Sequence, residues 1–348
     1  MRKLINLLGV ASLSFLATAS VFAQASNDAT FSFASFPYEA KDPTGIEQMA
    51  NSGQTVCADP KACTSDMTGK ARDPLIGLDV FGGLDTLHGV SQADWPNYFG
   101  AVSGANAGVL LPGSLGEHGF GWQLGTSLGA YDLAGRMTST NTMSTEEQIF
   151  ATTGFFRKTQ CDRGWSYGIV YDWMLNSNWG VDAFPATMSQ WRAQMEYSLS
   201  RCDSIGVYGT LRDMTYTNVP TGIIDRSINQ VDLFWDHKFE RGTDVRVWLG
   251  LPEQDRLPGG LYPSAQLGSV ILGAETEVPV SDRISLYASF EYMVPAVSAG
   301  PTAAYVETYD VSIGFVWHPG RCTCGSASAS APYMTLGNNR NFLVDQSR

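Results

Sequence analysis

Between Val231 and Leu251 apolar side chains fall at every second position on both sides of a short polar knot. Val231, Leu233 and Trp235 share one face of an extended chain, and Asp232, Phe234 and Asp236 share the other. After residues 238–242, Val245, Val247, Leu249 and Leu251 oppose Asp244, Arg246, Trp248 and Gly250. A period of two predicts strands, and two such runs joined by a few polar residues predict a hairpin. The same alternation recurs in Trp191 to Leu199, Ile205 to Leu211, Ile284 to Tyr292 and Val311 to Trp317.

Extended along the chain, the pattern predicts twelve strands, starting near Leu75, Tyr98, Phe120, Thr145, Trp165, Ser189, Ser204, Ser227, Thr243, Gln266, Arg283 and Tyr305. Their connections alternate between short turns and longer loops. An even strand number with short turns at one rim and long loops at the other predicts an all-β fold: a closed, up-and-down, antiparallel transmembrane β-barrel. Closure pairs every backbone N–H and C=O without water, which lipid demands. A secreted sandwich or lipocalin-like barrel is the competing fold, but it has no reason to keep that loop rhythm.

Composition agrees with strands and turns: 36 Gly, nine Trp and fourteen Tyr among 348 residues, with only 16% charged. Mean hydropathy is −0.09, and beyond residue 25 no run of apolar residues is long enough for a membrane helix. Arg2 and Lys3 precede an apolar run, and Val21-Phe22-Ala23 supplies small residues for cleavage, so residues 1–23 read as a signal peptide. No Cys sits just after that point, which argues against a lipoprotein anchor. Residues 24–73 are expected to form a periplasmic extension or a plug, 74–319 the barrel and 320–348 a periplasmic tail. The expected location is the outer membrane. The formal charge of −12 excludes nucleic acid as a partner; the expected partners are bilayer lipid, small hydrophilic solutes or cations, and the barrel-assembly machinery.

By parity Asp79, Asp172, Glu196, Asp232, Asp236, Asp244, Glu275, Glu277, Glu291 and Asp310 point into the bore, against Arg192, Arg212 and Arg246. Arg157 is unassigned because its strand alternates poorly. Carboxylates in excess along a wet bore raise the local cation concentration. The expected function is a porin-like channel for passive diffusion of small hydrophilic solutes, weakly preferring cations. The alternative is a non-conducting structural or adhesive barrel that displays its loops, the charges pairing across a filled interior. Trp122, Trp165, Trp235 and Trp317 fall at the short-turn ends of their strands and Trp173, Trp191 and Tyr292 near the other ends, as two aromatic girdles would.

Cys57, Cys63, Cys161, Cys202, Cys322 and Cys324 all lie on the short-turn side, where an oxidising periplasm supports disulfides. Cys57 with Cys63 and Cys161 with Cys202 are the first pairings to consider, although spacing does not choose among them. His318 with Cys322-x-Cys324 offers soft-metal ligands, but a disulfide needs no further ligand, and no metal or cofactor is expected. Gly125-Thr126-Ser127-Leu128-Gly129 matches a hydrolase nucleophile elbow, which requires a strand-to-helix turn and a nearby His. Here it falls mid-strand and reads as glycines making room in a barrel wall, so no catalytic residue is assigned and no enzyme is expected. A membrane-embedded hydrolase centred on Ser127, or on a serine near His88, is the third reading.

The runs GFFRKTQCDRGWSYGIVYDWM, from Gly154 to Met174, and NNRNFLVDQSR, from Asn338 to Arg348, resemble segments of the porin-like barrels of planctomycete outer membranes. That resemblance covers roughly Asp73 to the C-terminus and implies an outer-membrane barrel of unassigned substrate. The chain departs from the commonest outer-membrane pattern in continuing some thirty residues past Trp317, where many barrels end on an aromatic that the assembly machinery reads.

Overall fold

The computed structural model describes residues 76–88, 98–113, 115, 118–137, 143–159, 163–179, 184–218, 223–239, 242–253, 268–295, 308–319 and 330–347. Its strands, in chain order, are β1 Ile76–His88, β2 Tyr98–Leu110, β3 Phe120–Met137, β4 Met143–Arg157, β5 Gly164–Trp179, β6 Phe184–Ser198, β7 Asp203–Met214, β8 Tyr216–Asn218, β9 Ile223–Ser227, β10 Gln230–Lys238, β11 Asp244–Pro252, β12 Gly268–Pro279, β13 Ile284–Pro295, β14 Thr308–Trp317 and β15 Val344–Ser347. Twelve of them close into one antiparallel barrel in which sequence neighbours pair, β7 pairs β10, and β14 returns to β1 from Val80↔Trp317 to His88↔Tyr309. β15, β9 and β8 form a separate three-stranded sheet.

The exterior inverts a soluble protein. Leu233, Leu249, Leu128 and Phe315 are 62%, 55%, 52% and 57% exposed, while Asp172, Arg192 and Gln190 on inward positions are sealed at 0–1%. Side chains alternate faces along a strand, so the apolar half of each repeat forms one continuous outer belt. Among the described residues no helix is long and apolar enough to cross a membrane.

Two expectations about the loops are corrected. The alternation of loop lengths is not strict, because β3 to β6 run 18, 15, 16 and 15 residues and reduce the connections that read as long loops to 138–142 and 180–183. About ten residues cross a bilayer, so these four strands rise above the belt as a lip, where polar side chains on both faces meet no lipid. Register shifts and the left-handed residues Asp132 and Asn178 mark where β3 and β5 enter that lip. Second, the strand expected near Ser227 begins at Gln230, and the loop before it folds on itself as β8 and β9.

The larger correction concerns the C-terminus. The tail expected in the periplasm lies, over its described part 330–347, inside the barrel. It enters at the short-turn rim, where Gly77 and Gly108 make room: a Cβ on Gly77 would lie 2.6 Å from the Ser330 carbonyl oxygen. It ends at the opposite rim, where β15 adds to the edge of β9 from Val344↔Ser227 to Ser347↔Ile224. A polar barrel wall offers donors and acceptors that an extended backbone can use, whereas a tail in water gains nothing by ordering.

Candidate functional site

The luminal segment is held first by its backbone. The Asn106 and Gln123 amides both donate to the Met334 carbonyl at 3.0 Å, and Gln123 Oε1 accepts from the Met334 N–H at 3.0 Å. Arg192 donates to the Thr335 carbonyl at 2.8 Å, Thr152 accepts from the Gly337 N–H at 2.8 Å, Ser127 donates to the Gly337 carbonyl at 3.2 Å, and Gln190 donates to the Asn341 carbonyl at 2.8 Å. These partners come from β2, β3, β4 and β6, so several walls grip one strand of chain. Ser127 is thereby a mid-strand luminal hydrogen-bond donor, and Gly125 leaves the space that Leu336 fills.

Side chains of the segment complete the fit. Asn338 and Asn341 cap each other's backbone, with N–H to Oδ1 distances of 3.0 and 3.1 Å, and the Phe342 N–H donates to the Asn338 carbonyl at 2.9 Å. That turn aims Arg340 at Glu275, with its guanidinium 5.2 Å from the Trp248 ring centre. Phe342 packs among Phe150, Met174, Trp179, Ala186 and Met188, and Leu343 among Ile228, Ile271 and Met293. Asn339 donates to the Tyr131 hydroxyl at 2.7 Å, and Tyr131 donates to Asp85 at 2.6 Å.

The inward charges mostly have partners. Arg192 and Asp172 form a buried pair through two contacts, one of 2.9 Å. Arg246 grips Asp236 at 2.6 and 2.8 Å and lies 3.5 Å from Glu275. Arg212 binds Glu253 at 2.7 Å near the long-loop rim, and Asp244 stands 3.7 Å from Lys238 at the other. Glu196 lies 3.5 Å from the Tyr333 hydroxyl. Asp232, Glu291 and Asp310 are buried on the inner wall. Asp79 and Glu277 hold the two ring nitrogens of His318, at 2.7 and 2.9 Å. Burial opposes the imidazolium there, but the two carboxylates outweigh it and push His318 up to about 9 from 6.5. With both nitrogens taken, His318 has no lone pair to offer a metal; Cys322 and Cys324 lie outside the described residues.

Trp122, Trp165, Trp173, Trp191, Trp235 and Trp317 are exposed on the outer face, with Tyr292 partly covered. Tyr171 stands between Trp173 and Trp191, with ring centres 4.4 and 4.7 Å away. Arg157 lies over the Phe120 and Tyr167 rings at 5.9 and 5.8 Å and donates to the Trp165 carbonyl at 3.0 Å, beside the short-turn girdle rather than in the bore. Cys202 is buried in the turn between β6 and β7, while Cys57, Cys63, Cys161 and residues 1–75 lie outside the described residues.

Sequence reasoning does not assign Asp85, Asn339 or Arg340 to the bore. Asp85 shares the face of Asp79, six residues on, but the sequence pattern places it in a loop. The signal for an occupied bore is present all the same: Phe150, Met174, Met188 and Ile271 are apolar residues on inward positions, which open water would not favour.

The fold and its sealed interior define a closed twelve-stranded membrane-type β-barrel. The chain belongs to a family of unknown function, DUF6666, whose model matches residues 75–344 and so takes in both the barrel and the luminal segment as far as Val344. No curated protein matches the chain. Solved structures similar in fold include the KdgM porin, 6% identical over 69% of this chain and 98% of that one with a TM-score of 0.39. They also include a mutant TodX monoaromatic hydrocarbon channel, 10% identical over 70% and 88% with a TM-score of 0.38. The outer membrane phospholipase A from Escherichia coli is 10% identical over 70% and 97%, with a TM-score of 0.40.

Proposed function

We propose that this chain is an outer-membrane barrel of the porin-like kind, shut at rest by its own C-terminal segment. The observation that supports it is the grip of residues 333–343 by inward polar side chains of β2, β3, β4 and β6, which puts chain where solute would have to pass. The short turns face the periplasm, and the lip of β3 to β6 with the β8–β9–β15 sheet faces outward. Small hydrophilic solutes pass only when the segment leaves, and Glu275, which then loses Arg340 and keeps only the 3.5 Å contact with Arg246, favours cations. The affinity to planctomycete barrels belongs to this same reading, as do a cleaved signal peptide, insertion by the barrel-assembly machinery and a Cys161–Cys202 cross-link between neighbouring short turns.

A non-conducting display barrel is the second reading. It is favoured by the apolar anchoring of Phe342 and Leu343, which resembles permanent core rather than a gate. Planar-bilayer conductance of the full chain and of a chain ending at residue 329 separates the two, with heat-modifiable gel migration showing that each is folded. The expected result is a silent full chain and a conducting, cation-selective truncation. Open conductance from the full chain defeats the plug; silence from a folded truncation hands the function to the display barrel.

A further inference from the structure

Beside the luminal segment, against β7 and β10 to β13, lies a cavity of about 40 Å³ lined in part by Tyr208, Asp232, Phe234, Trp248, Glu291 and Arg340. Asp232 and Glu291 are 2% and 3% exposed. Each carboxylate has one oxygen in use: Gln230 donates to Asp232 Oδ2 at 3.1 Å and the Trp248 indole N–H to Glu291 Oε2 at 3.0 Å. Their other oxygens, Asp232 Oδ1 and Glu291 Oε1, have no hydrogen-bond partner among the described residues. A buried carboxylate oxygen without a donor is costly, and such groups are satisfied by a cation or by donors of a ligand.

The cavity's own cations are committed elsewhere. Arg246 is bidentate on Asp236, and Arg340 contacts Glu275. In the lining the carboxyl groups of Asp232, Glu275 and Glu291 outnumber the guanidinium groups of Arg246 and Arg340. The walls already show a taste for delocalised cations, since Arg246 lies 4.4 Å from the Phe234 ring centre and Arg340 lies over Trp248. A Cβ on Gly250 would collide with Asp232 Oδ1, so glycine at that position is what lets the carboxylate stand where it does.

We infer that this cavity binds a small organic monocation, an alkylammonium or alkylguanidinium, with its N–H donors shared between Asp232 Oδ1 and Glu291 Oε1. A hard metal ion wants six or more oxygens, whereas these walls set the rings of Tyr208, Phe234 and Trp248 among their polar groups; no group of three metal-binding side chains occurs among the described residues. The space is that of a few waters, so only a slender ligand that displaces them is admitted. This inference rests on the plugged reading, because Thr335, Arg340 and Asn341 of the luminal segment complete the lining.

The test is calorimetric titration of the full chain in detergent with n-butylammonium and n-butylguanidinium, n-butanol serving as the uncharged match, with tryptophan fluorescence as a second readout. Expected is saturable binding of the cations alone, weakened roughly tenfold or more by Asp232→Asn and by Glu291→Gln while heat-modifiable migration is retained. Gly250→Ala, which displaces Asp232 Oδ1, weakens it in the same direction. Absence of saturable binding, or affinity unchanged from the parent in both carboxamide variants, overturns the inference. Its failure is distinct from failure of the plug: a silent full chain that binds no amine keeps the plug and loses the site, whereas a conducting full chain removes the plug itself.

Discussion

Asp172 and Arg192 meet inside the barrel with neither side chain reaching solvent, and the same guanidinium holds the carbonyl of Thr335. The pair therefore joins wall to plug. Thr152 and Gln190 donate further hydrogen bonds to Asp172, at 2.7 and 3.3 Å, so the charge is buried but well coordinated.

Removing one partner of that pair leaves an uncompensated buried charge. Arg192→Met is expected to cost about 3–5 kcal/mol, measured as a lower urea midpoint for loss of heat-modifiable migration. Asp172→Asn combined with Arg192→Met recovers much of the loss, since the orphaned charge is then gone. A double variant no more stable than the single one counts against this account.

Phe342 anchors the segment without forming part of the wall. Phe342→Ala is expected to cost about 3–5 kcal/mol of packing around Phe150, Met174 and Met188. Because the loss falls on the plug, limited proteolysis should release the C-terminal residues faster while the barrel stays heat-modifiable. Equal protection of the tail in variant and parent would exclude that anchoring role.

The terminus emerges at the long-loop rim, paired to β9. An epitope appended after Arg348 is expected to bind antibody on intact cells, whereas one inserted in the 159–163 turn binds only after the envelope is opened. The reverse pattern would invert the orientation.

His318 predicts a pH dependence at the short-turn rim. Its folded value of about 9 lies above the ordinary 6.5, so its contribution is whole below about pH 6.5 and is lost as pH rises through about 9. Urea midpoints should therefore fall between those limits in the parent, and His318→Gln should flatten that part of the curve. A parent curve that is already flat there would show that the clamp with Asp79 and Glu277 contributes nothing to folding.

Much of this fold was legible in the residues. Val231 to Leu251 reads as a hairpin from its alternation alone, and parity suffices to send Asp232 and Leu233 to opposite faces, because side chains of a strand alternate whatever its neighbours are. The lip was not legible: above a bilayer nothing requires an apolar face, so β3 and β4 lose their period near Asp132 and Ser144 and pass for loop.

The local pattern by itself determined that twelve segments are strands, which face of each meets lipid, and that the sheet has to close, since lipid leaves no partner for an exposed edge. Only the tertiary structure decided what fills the cylinder. Asn338 to Leu343 carry no period, and their destination depends on Gln123, Thr152, Arg192 and Phe150, residues far away in sequence that become one surface only after closure.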